Sequence, residues 1–168
     1  MRRRYNAQTA MERLTALRRL MPQVQFSADV IAGFPGESEE DFAESLSFVR
    51  EAEFLHLHVF PYSRRPGTEA ADMPDQIDPS EKARRVALLC RTGEQTRDAI
   101  LARLAAGREN VTVLTEETKD GFVLGHSEAF VPCRIPLRDL LPSQHRGQLV
   151  ACKITGYHDG ALTVAPRE

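Results

Sequence analysis

The segment from Ser27 to Arg65 most strongly constrains the fold of this chain, because it places a helix-forming segment between two apolar ones. Apolar residues recur with period two from Val24 to Ala32, which predicts a strand, and Ile31 adds apolar character on its second face. We therefore expect this strand to be buried on both faces, as parallel strands are. Residues 54–60 predict a second strand. A crossover of this length makes the two strands a parallel pair with the helix packed across it.

The turn between the first strand and this helix has the sequence Gly33-Phe34-Pro35-Gly36-Glu37. Ser38 followed by Asp41 is a capping-box pattern, so the helix is expected to begin directly after the turn. Its apolar face is predicted to consist of Phe42, Leu46 and Val49. The turn has two interpretations. Either its glycines and proline only shape the backbone, or its small residues let a ligand approach the carboxyl end of the strand.

Two further helical patterns flank this unit. Asn6 is a predicted N-cap for a helix that runs to about Leu20. Residues 61–77 are typical of a loop, and Asp78-Pro79-Ser80-Glu81 then predicts a long helix that ends at Gly107. Two strands alone leave unpaired edges, so this part is expected to belong to a larger sheet. The same edges predict self-association.

After Gly107 the pattern changes to short strands. Asp120-Gly121 is a hairpin signal. Strands are predicted near residues 111–114, 122–126, 129–135, 149–157 and 161–165. The predicted fold class is therefore α/β in residues 1–107 followed by all-β in residues 108–168, the latter as a small β-barrel.

Composition excludes several function classes. The net charge is −2, so nucleic-acid binding would have to come from local basic patches. No apolar run approaches the ~20 residues that cross a bilayer, and no secretory signal follows the N-terminus, which predicts a cytoplasmic protein without membrane contact. The three cysteines, Cys90, Cys133 and Cys152, are far apart, so they are expected to be reduced thiols rather than metal ligands.

Three segments carry a family resemblance: residues 1–5, residues 29–42 with the glycine-containing turn, and His58-Val59-Phe60-Pro61-Tyr62-Ser63-Arg64-Arg65-Pro66-Gly67-Thr68. They closely resemble the radical S-adenosylmethionine methylthiotransferases, enzymes that place a methylthio group on tRNA or on a ribosomal protein. Together with residues 73–76, the second block is most similar to the branch that acts on threonylcarbamoyl-adenosine in tRNA. The isopentenyl-adenosine branch is its near neighbour and stays open.

The resemblance implies a fold and a set of site residues. It implies the C-terminal part of a radical-SAM partial TIM barrel, a long linking helix and a small OB-like TRAM β-barrel that holds RNA. It also implies a wall of the S-adenosylmethionine pocket made by Gly33, Phe34, Pro35, Gly36, Glu37, Phe60 and Tyr62. His56 and His58 share one strand face, which indicates a polar lining of the barrel interior or, alternatively, a metal pair.

The family holds its reactive [4Fe–4S] cluster with a Cys-x-x-x-Cys-x-x-Cys motif, which this sequence lacks. We therefore predict a C-terminal fragment that has no catalytic or metal-ligating residue of its own and is inactive alone. The missing N-terminal part of the parent enzyme is its expected partner. In that parent, S-adenosylmethionine is cleaved to a radical and a hypermodified adenosine next to the anticodon is methylthiolated.

Predicted RNA contacts are basic residues near the strand ends and in the β part. They are Arg64, Arg65, Arg134, Arg146 and Lys153, with Arg2, Arg3 and Arg4 ambiguous between a substrate contact and a helix cap. His126, Phe130 and Tyr157 offer stacking surfaces. The alternative for each residue is ordinary surface charge or a core aromatic. The alternative function for the chain is a stand-alone, non-enzymatic RNA-binding module.

Overall fold

A computed structural model describes residues 4–167 of the chain. The chain divides into two compact units, the first ending at Thr96 and the second beginning at Arg97. The division lies inside the long helix, whereas the sequence placed a boundary near Gly107, where that helix ends. The elements are α1 Ala7–Leu20, β1 Ser27–Ala32, α2 Glu39–Ala52, β2 His56–Pro61, α3 Glu69–Asp72, α4 Pro79–Gly107, β3 Asn110–Lys119, β4 Phe122–Ser127, β5 Pro132–Pro136, β6 Leu149–His158 and β7 Ala161–Pro166.

In the first unit, the helix starts follow the predicted caps. The Asn6 side chain accepts a hydrogen bond from the Thr9 amide at 2.8 Å and so begins α1. Ser38 and Asp41 form the reciprocal capping box of α2. The short helix α3 interrupts the segment that was predicted to be entirely loop.

The β1–β2 pair is parallel, and one face of it packs against helices. Ile31 aligns with Phe60, and Ala32 with Pro61. The core on the covered face contains Ala32, Phe42, Val49 and Leu89, with Val30, Leu46, Leu57, Val59, Val86 and Leu88 packed around it. This confirms the parallel pair and the predicted apolar face of α2.

Two expectations about these strands are wrong. The strands are shorter than predicted, because β1 begins at Ser27 rather than Val24 and β2 at His56 rather than Phe54. Nor is β1 buried on both faces, since Ile31 is 37% exposed. The described helices cover a single face of the pair, and within residues 4–167 β1 and β2 have no other strand partner.

The second unit contains a closed five-stranded barrel in the order β3-β4-β5-β7-β6. Only β5 and β7 pair in parallel; the other neighbours are antiparallel. Asp120 and Gly121 both have positive φ, 49° and 80°, as a tight hairpin between β3 and β4 requires. The predicted order, an α/β part followed by an all-β part, is therefore confirmed. The strand predicted from Ala129 begins only at Pro132, because Phe130 turns the chain with φ 62°.

The cysteine environments predict a sharp difference in reactivity. Cys90 on α4 is exposed, whereas Cys133 and Cys152 are buried in the barrel. Burial raises the pKa of Cys133 to about 12 and that of Cys152 to about 11, which suppresses the reactive thiolate. We expect iodoacetamide at pH 8 to alkylate Cys90 alone in the native protein, and all three thiols in urea. Peptide mass spectrometry measures this, and rapid native labelling of Cys133 would contradict the buried position.

Within residues 4–167, none of the helices combines the length and the apolarity that crossing a membrane would require.

Candidate functional site

The glycine-containing turn and the segment Phe60–Tyr62 lie side by side, because the turn follows the carboxyl end of β1 and the segment contains the carboxyl end of β2, its parallel partner. The Tyr62 amide donates to the Ala32 carbonyl at 2.8 Å and extends the pairing past the ends of β1 and β2. Gly33 and Gly36 have φ values of 73° and 80°, which favour glycine at both positions. The structure thus brings together the seven residues predicted for a cofactor-facing wall.

Glu37 stabilises this turn through hydrogen bonds of its own side chain. Its Oε2 accepts a hydrogen bond from the Gly33 amide at 2.7 Å and another from Nη1 of Arg85 at 2.7 Å. The same Arg85 nitrogen donates to the Glu37 carbonyl at 2.8 Å. One guanidinium nitrogen therefore contacts both the side chain and the main chain at the end of the turn. These bonds give Glu37 an internal structural role in addition to the cofactor contact predicted for it.

Arg85 is the buried centre of an ionic cluster, since its side chain is only 4% exposed. Beyond Glu37, it contacts Glu81 Oε1 at 2.6 Å and Glu39 Oε1 at 2.9 Å. Burial opposes the charge on Arg85, but hydrogen bonds to the three glutamates outweigh that penalty and raise its pKa. Sequence reasoning did not identify Arg85; the i, i+4 spacing of Glu81 and Arg85 on α4 was the available signal.

The cluster makes stability depend on pH. Hydrogen bonds from Arg84 and Arg85 lower the pKa of Glu81 from 4.5 to about 2. A carboxyl group whose pKa is lower in the folded state stabilises that state at pH values above its pKa in the unfolded chain. This stabilisation is lost as the pH falls through its pKa in the folded state. We expect the urea midpoint to fall between pH 4.5 and pH 2, and Glu81→Gln to flatten that dependence. Urea titrations followed by circular dichroism measure it. Glu40→Gln, outside the cluster, is the control, and identical profiles for both variants would contradict the assignment.

An aromatic pair and a lysine complete the surroundings of the turn. Phe34 and Tyr62 pack edge to face, with ring centroids 5.3 Å apart. Nζ of Lys82 lies 5.2 Å from the Tyr62 ring centroid, a cation–π geometry. A Cβ at Gly33 would lie 2.5 Å from Cγ of Lys82, so the lysine stem occupies the space beside this glycine. The Tyr62 hydroxyl is buried and has no hydrogen-bond partner among the described residues. Lys82 is a second residue that sequence reasoning missed.

The uncovered face of the β1–β2 pair is mixed in character. Asp29 aligns with His58 and Ile31 with Phe60, so these side chains share that face with His56. Phe60 is 51% exposed. The prediction that both histidines lie on one face is confirmed. Across the described part of the chain, no three His, Cys, Asp or Glu side chains are grouped so that they could hold a metal ion.

The basic loop after β2 is partly used in internal contacts. Nε of Arg64 donates to the Ala71 carbonyl at 2.6 Å, while Arg65 is exposed and its carbonyl accepts from the Thr68 hydroxyl. Arg4 is exposed. The predictions for Arg2 and Arg3 fall outside the described residues.

A separate groove of about 730 Å³ lies between α1 and α2. Met11 and Phe48 contribute apolar surface to it, and Glu12, Glu44 and Glu51 contribute charge. None of its lining residues belongs to the turn, so this groove is distinct from the candidate cofactor wall.

In the barrel, the predicted RNA contacts separate into two groups. Arg134 and Lys153 lie on β5 and β6, which both pair with β7. Arg146 lies elsewhere, in the turn where the Gly147 amide donates to the Thr115 carbonyl of β3 at 2.6 Å. Of the predicted stacking residues, Tyr157 is 43% exposed.

The other two predicted stacking residues contact each other. His126 and Phe130 stack with ring centroids 5.1 Å apart, and His126 Nδ1 lies 3.0 Å from Glu116 Oε2. Phe130 is 72% exposed. This aromatic pair therefore lies beside a carboxylate.

Sequence comparisons show what the chain resembles. The threonylcarbamoyladenosine tRNA methylthiotransferase MtaB of Rickettsia prowazekii is 33% identical over 162 residues, which is 96% of this chain and 36% of that protein. The chain belongs to the tRNA methylthiotransferase family. A second methylthiotransferase, MtaB of Bacillus subtilis, is 46% identical over 95 residues, covering 56% of this chain and 21% of the relative.

Methylthiotransferases of the neighbouring branch match as well. The tRNA-2-methylthio-N(6)-dimethylallyladenosine synthase of Pelobacter propionicus is 37% identical over 128 residues, covering 76% of this chain and 29% of the relative. The chain thus spans about a third or less of the length of these methylthiotransferases. No family model matches the chain.

Proposed function

We propose that this chain supplies one wall of an S-adenosylmethionine pocket and a tRNA-binding barrel to a methylthiotransferase. The enzyme would modify a hypermodified adenosine next to the anticodon, with threonylcarbamoyl-adenosine as the favoured base. The observation that carries this proposal is the adjacent placement of the turn and Phe60–Tyr62 at the carboxyl ends of β1 and β2. Family membership supports tRNA as the substrate class.

The residues at the turn fit S-adenosylmethionine on three counts. The buried Tyr62 hydroxyl has no described partner and is available for a polar group. Phe60 offers an exposed ring for packing. A Cβ at Gly36 would meet no atom within 4 Å, so a ligand has room to approach the backbone there. When bound, the cofactor would supply the radical precursor, and the residues described here would only position it.

The cysteines do not fit a [4Fe–4S] cluster. Cys90 lies on α4 in the first unit, whereas Cys133 and Cys152 are buried in the barrel of the second. Thiolate ligation needs the sulfur atoms grouped around one site. We therefore assign no cluster chemistry to this chain and infer that the rest of the enzyme provides it.

A hybrid enzyme tests the proposal. The matching segment of the Bacillus subtilis methylthiotransferase is replaced by this chain, and the hybrid is expressed in a strain that lacks the native enzyme. We expect methylthiolated threonylcarbamoyl-adenosine to reappear in digested tRNA, measured by liquid chromatography and mass spectrometry. A Gly36→Val hybrid should lose the product, because the added side chain would occupy the space through which the ligand approaches the turn. Valine is also strained at the positive φ of this position. A soluble hybrid that gives no product would overturn the proposal.

The alternative function, a stand-alone RNA-binding module, is favoured by one observation: the barrel has its own core, which includes Val123, Ile135, Cys152, Ile154 and Val164. We propose that this barrel is of the OB-like TRAM type and that the first unit is part of a TIM-like barrel. The module alone would bind tRNA at moderate salt, and the logarithm of its binding constant would fall as the logarithm of the salt concentration rises. It would have no effect on methylthiolation in the hybrid strain.

We also propose that the open edges of β1 and β2 drive self-association of the isolated chain. Sedimentation velocity at increasing concentration tests this, and a monomer at all concentrations would contradict it.

A further inference from the structure

The strands of the barrel differ in the charges that they carry. None of the residues of strands β5, β6 and β7 is acidic, and these strands carry Arg134 and Lys153. Glu116 and Glu117 lie on β3, and the Glu128 side chain accepts from the β3 backbone at 2.8 Å. Near the proposed face, Asp139 lies 3.6 Å from Arg138, and Asp159 follows β6. The acidic side chains of β3 therefore repel an anionic ligand more than the outward-facing residues of β5, β7 and β6 do.

On strands β5, β7 and β6, polar side chains form a continuous row. The Arg134 guanidinium lies 4.7 Å from the Phe122 ring centroid, and its Nε donates to the Thr163 hydroxyl at 3.1 Å. The Thr155 hydroxyl donates to the Thr163 carbonyl at 3.0 Å. Lys153 precedes Thr155 by two residues on β6, so both point outward on the same face. The row thus runs from an aromatic ring, across an arginine and two threonines, to a lysine.

A cavity of about 480 Å³ adjoins the aromatic end of this row. It is lined by Gly121, Phe122, Pro136, Leu137 and Arg138. The Arg138 side chain is 87% exposed. A concave surface with an aromatic ring and two nearby guanidinium groups suits a nucleotide, because bases stack on rings and on guanidinium planes while phosphates pair with arginine.

We propose that the outer face of β5, β7 and β6, with the adjoining cavity, is the surface through which the barrel contacts a single-stranded segment of tRNA. Arg134, Arg138 and Lys153 contact successive phosphates, and a base stacks at Phe122. The assignment rests on the proposed tRNA role and deepens it, since it selects one face. This assignment excludes Arg146, which the sequence predicted as an RNA contact, because the turn that contains it lies against β3. Arg146 is therefore the matched control.

The test measures tRNA binding by the full chain. Fluorescein-labelled total tRNA from Bacillus subtilis is titrated with protein at several KCl concentrations and followed by anisotropy. We expect Lys153→Gln and Arg134→Gln each to weaken binding roughly three- to ten-fold and to reduce the log–log salt slope by about 1. The affinity of Arg146→Gln for tRNA should stay within about two-fold of that of the parent chain, which is on the order of the measurement scatter. Thermal unfolding checks each variant, and exposed Lys153 is the cleaner position because Arg134 also packs on Phe122.

The possible results separate the two proposals. If tRNA binds and Arg146→Gln weakens binding as much as Lys153→Gln does, the assigned face is wrong while the tRNA role stands. If tRNA binds and neither Lys153→Gln nor Arg134→Gln weakens that binding, the assigned face is also wrong. If the chain retains no tRNA even at low salt, both the RNA role of the barrel and this assignment fail.

Discussion

Replacing Arg85 with methionine is expected to destabilise the first unit by about 3 kcal/mol, at the lower end of the range for breaking a buried ion pair. Methionine fills similar volume and keeps the contact with Phe42, but it leaves the Glu37 carboxylate without its strongest partner. The Glu37 side chain is only 12% exposed, so water replaces that partner poorly. Urea unfolding followed by circular dichroism measures the loss.

The neighbouring arginine supplies the control. Arg84 also contacts Glu39 and Glu81, both at 2.7 Å, but its side chain is 46% exposed. Solvent screens such a pair, so Arg84→Met should change the urea midpoint little. If the two substitutions were equally costly, burial of Arg85 would not be the cause. A Glu37→Gln variant isolates the same bond from the other side, since it removes the charge and keeps the side-chain size.

Replacing Gly125 with alanine is expected to destabilise the barrel by roughly 3 kcal/mol, the upper end of the usual cost of overpacking. A Cβ at this position would overlap the Leu114 carbonyl oxygen and come within 3.1 Å of Val113 Cγ1. The carbonyl belongs to the adjacent strand β3, so relief requires the backbone of the closed barrel to move. Differential scanning calorimetry should show a lower transition temperature for the barrel.

Gly156 is the matched control within the same barrel. It also lies in a strand, its φ is not in the left-handed region, and a Cβ there would meet no atom within 4 Å. Gly156→Ala should therefore leave the transition temperature unchanged or raise it slightly, because alanine restricts the unfolded chain. Equal losses in the two variants would show that lost flexibility, rather than the clash at Leu114, is responsible.

Local rules predicted most of the elements. The caps at Asn6 and Ser38, the helix start at Asp78 and the hairpin at Asp120-Gly121 are each encoded within four residues, and the structure contains all of them. The strand ends were predicted less well. Val24 and Phe54 continue the apolar pattern of their strands, but the paired register begins at Ser27 and His56. Before it, the Leu55 amide still donates to the Phe26 carbonyl at 2.8 Å.

The candidate site was predicted only in part, for a related reason. The turn and Phe60–Tyr62 stood out because their own residues are unusual, and the parallel pairing brought them together. Lys82 and Arg85 were missed because each contacts residues that are distant in sequence, as the separation of 48 between Glu37 and Arg85 illustrates. A helical pattern on α4 shows which residues share a face, but it does not show which turn that face contacts.

The bond between Glu37 and Arg85 also sets an order of events in folding. Because the partners are 48 residues apart, the turn cannot make this bond until α4 has formed and docked. During synthesis, β1, α2 and β2 leave the ribosome before Arg85 does, so the turn lacks its bond to Arg85 until α4 has been made. The surface proposed to face the cofactor is therefore completed late, by a helix that contributes no atom to the turn itself.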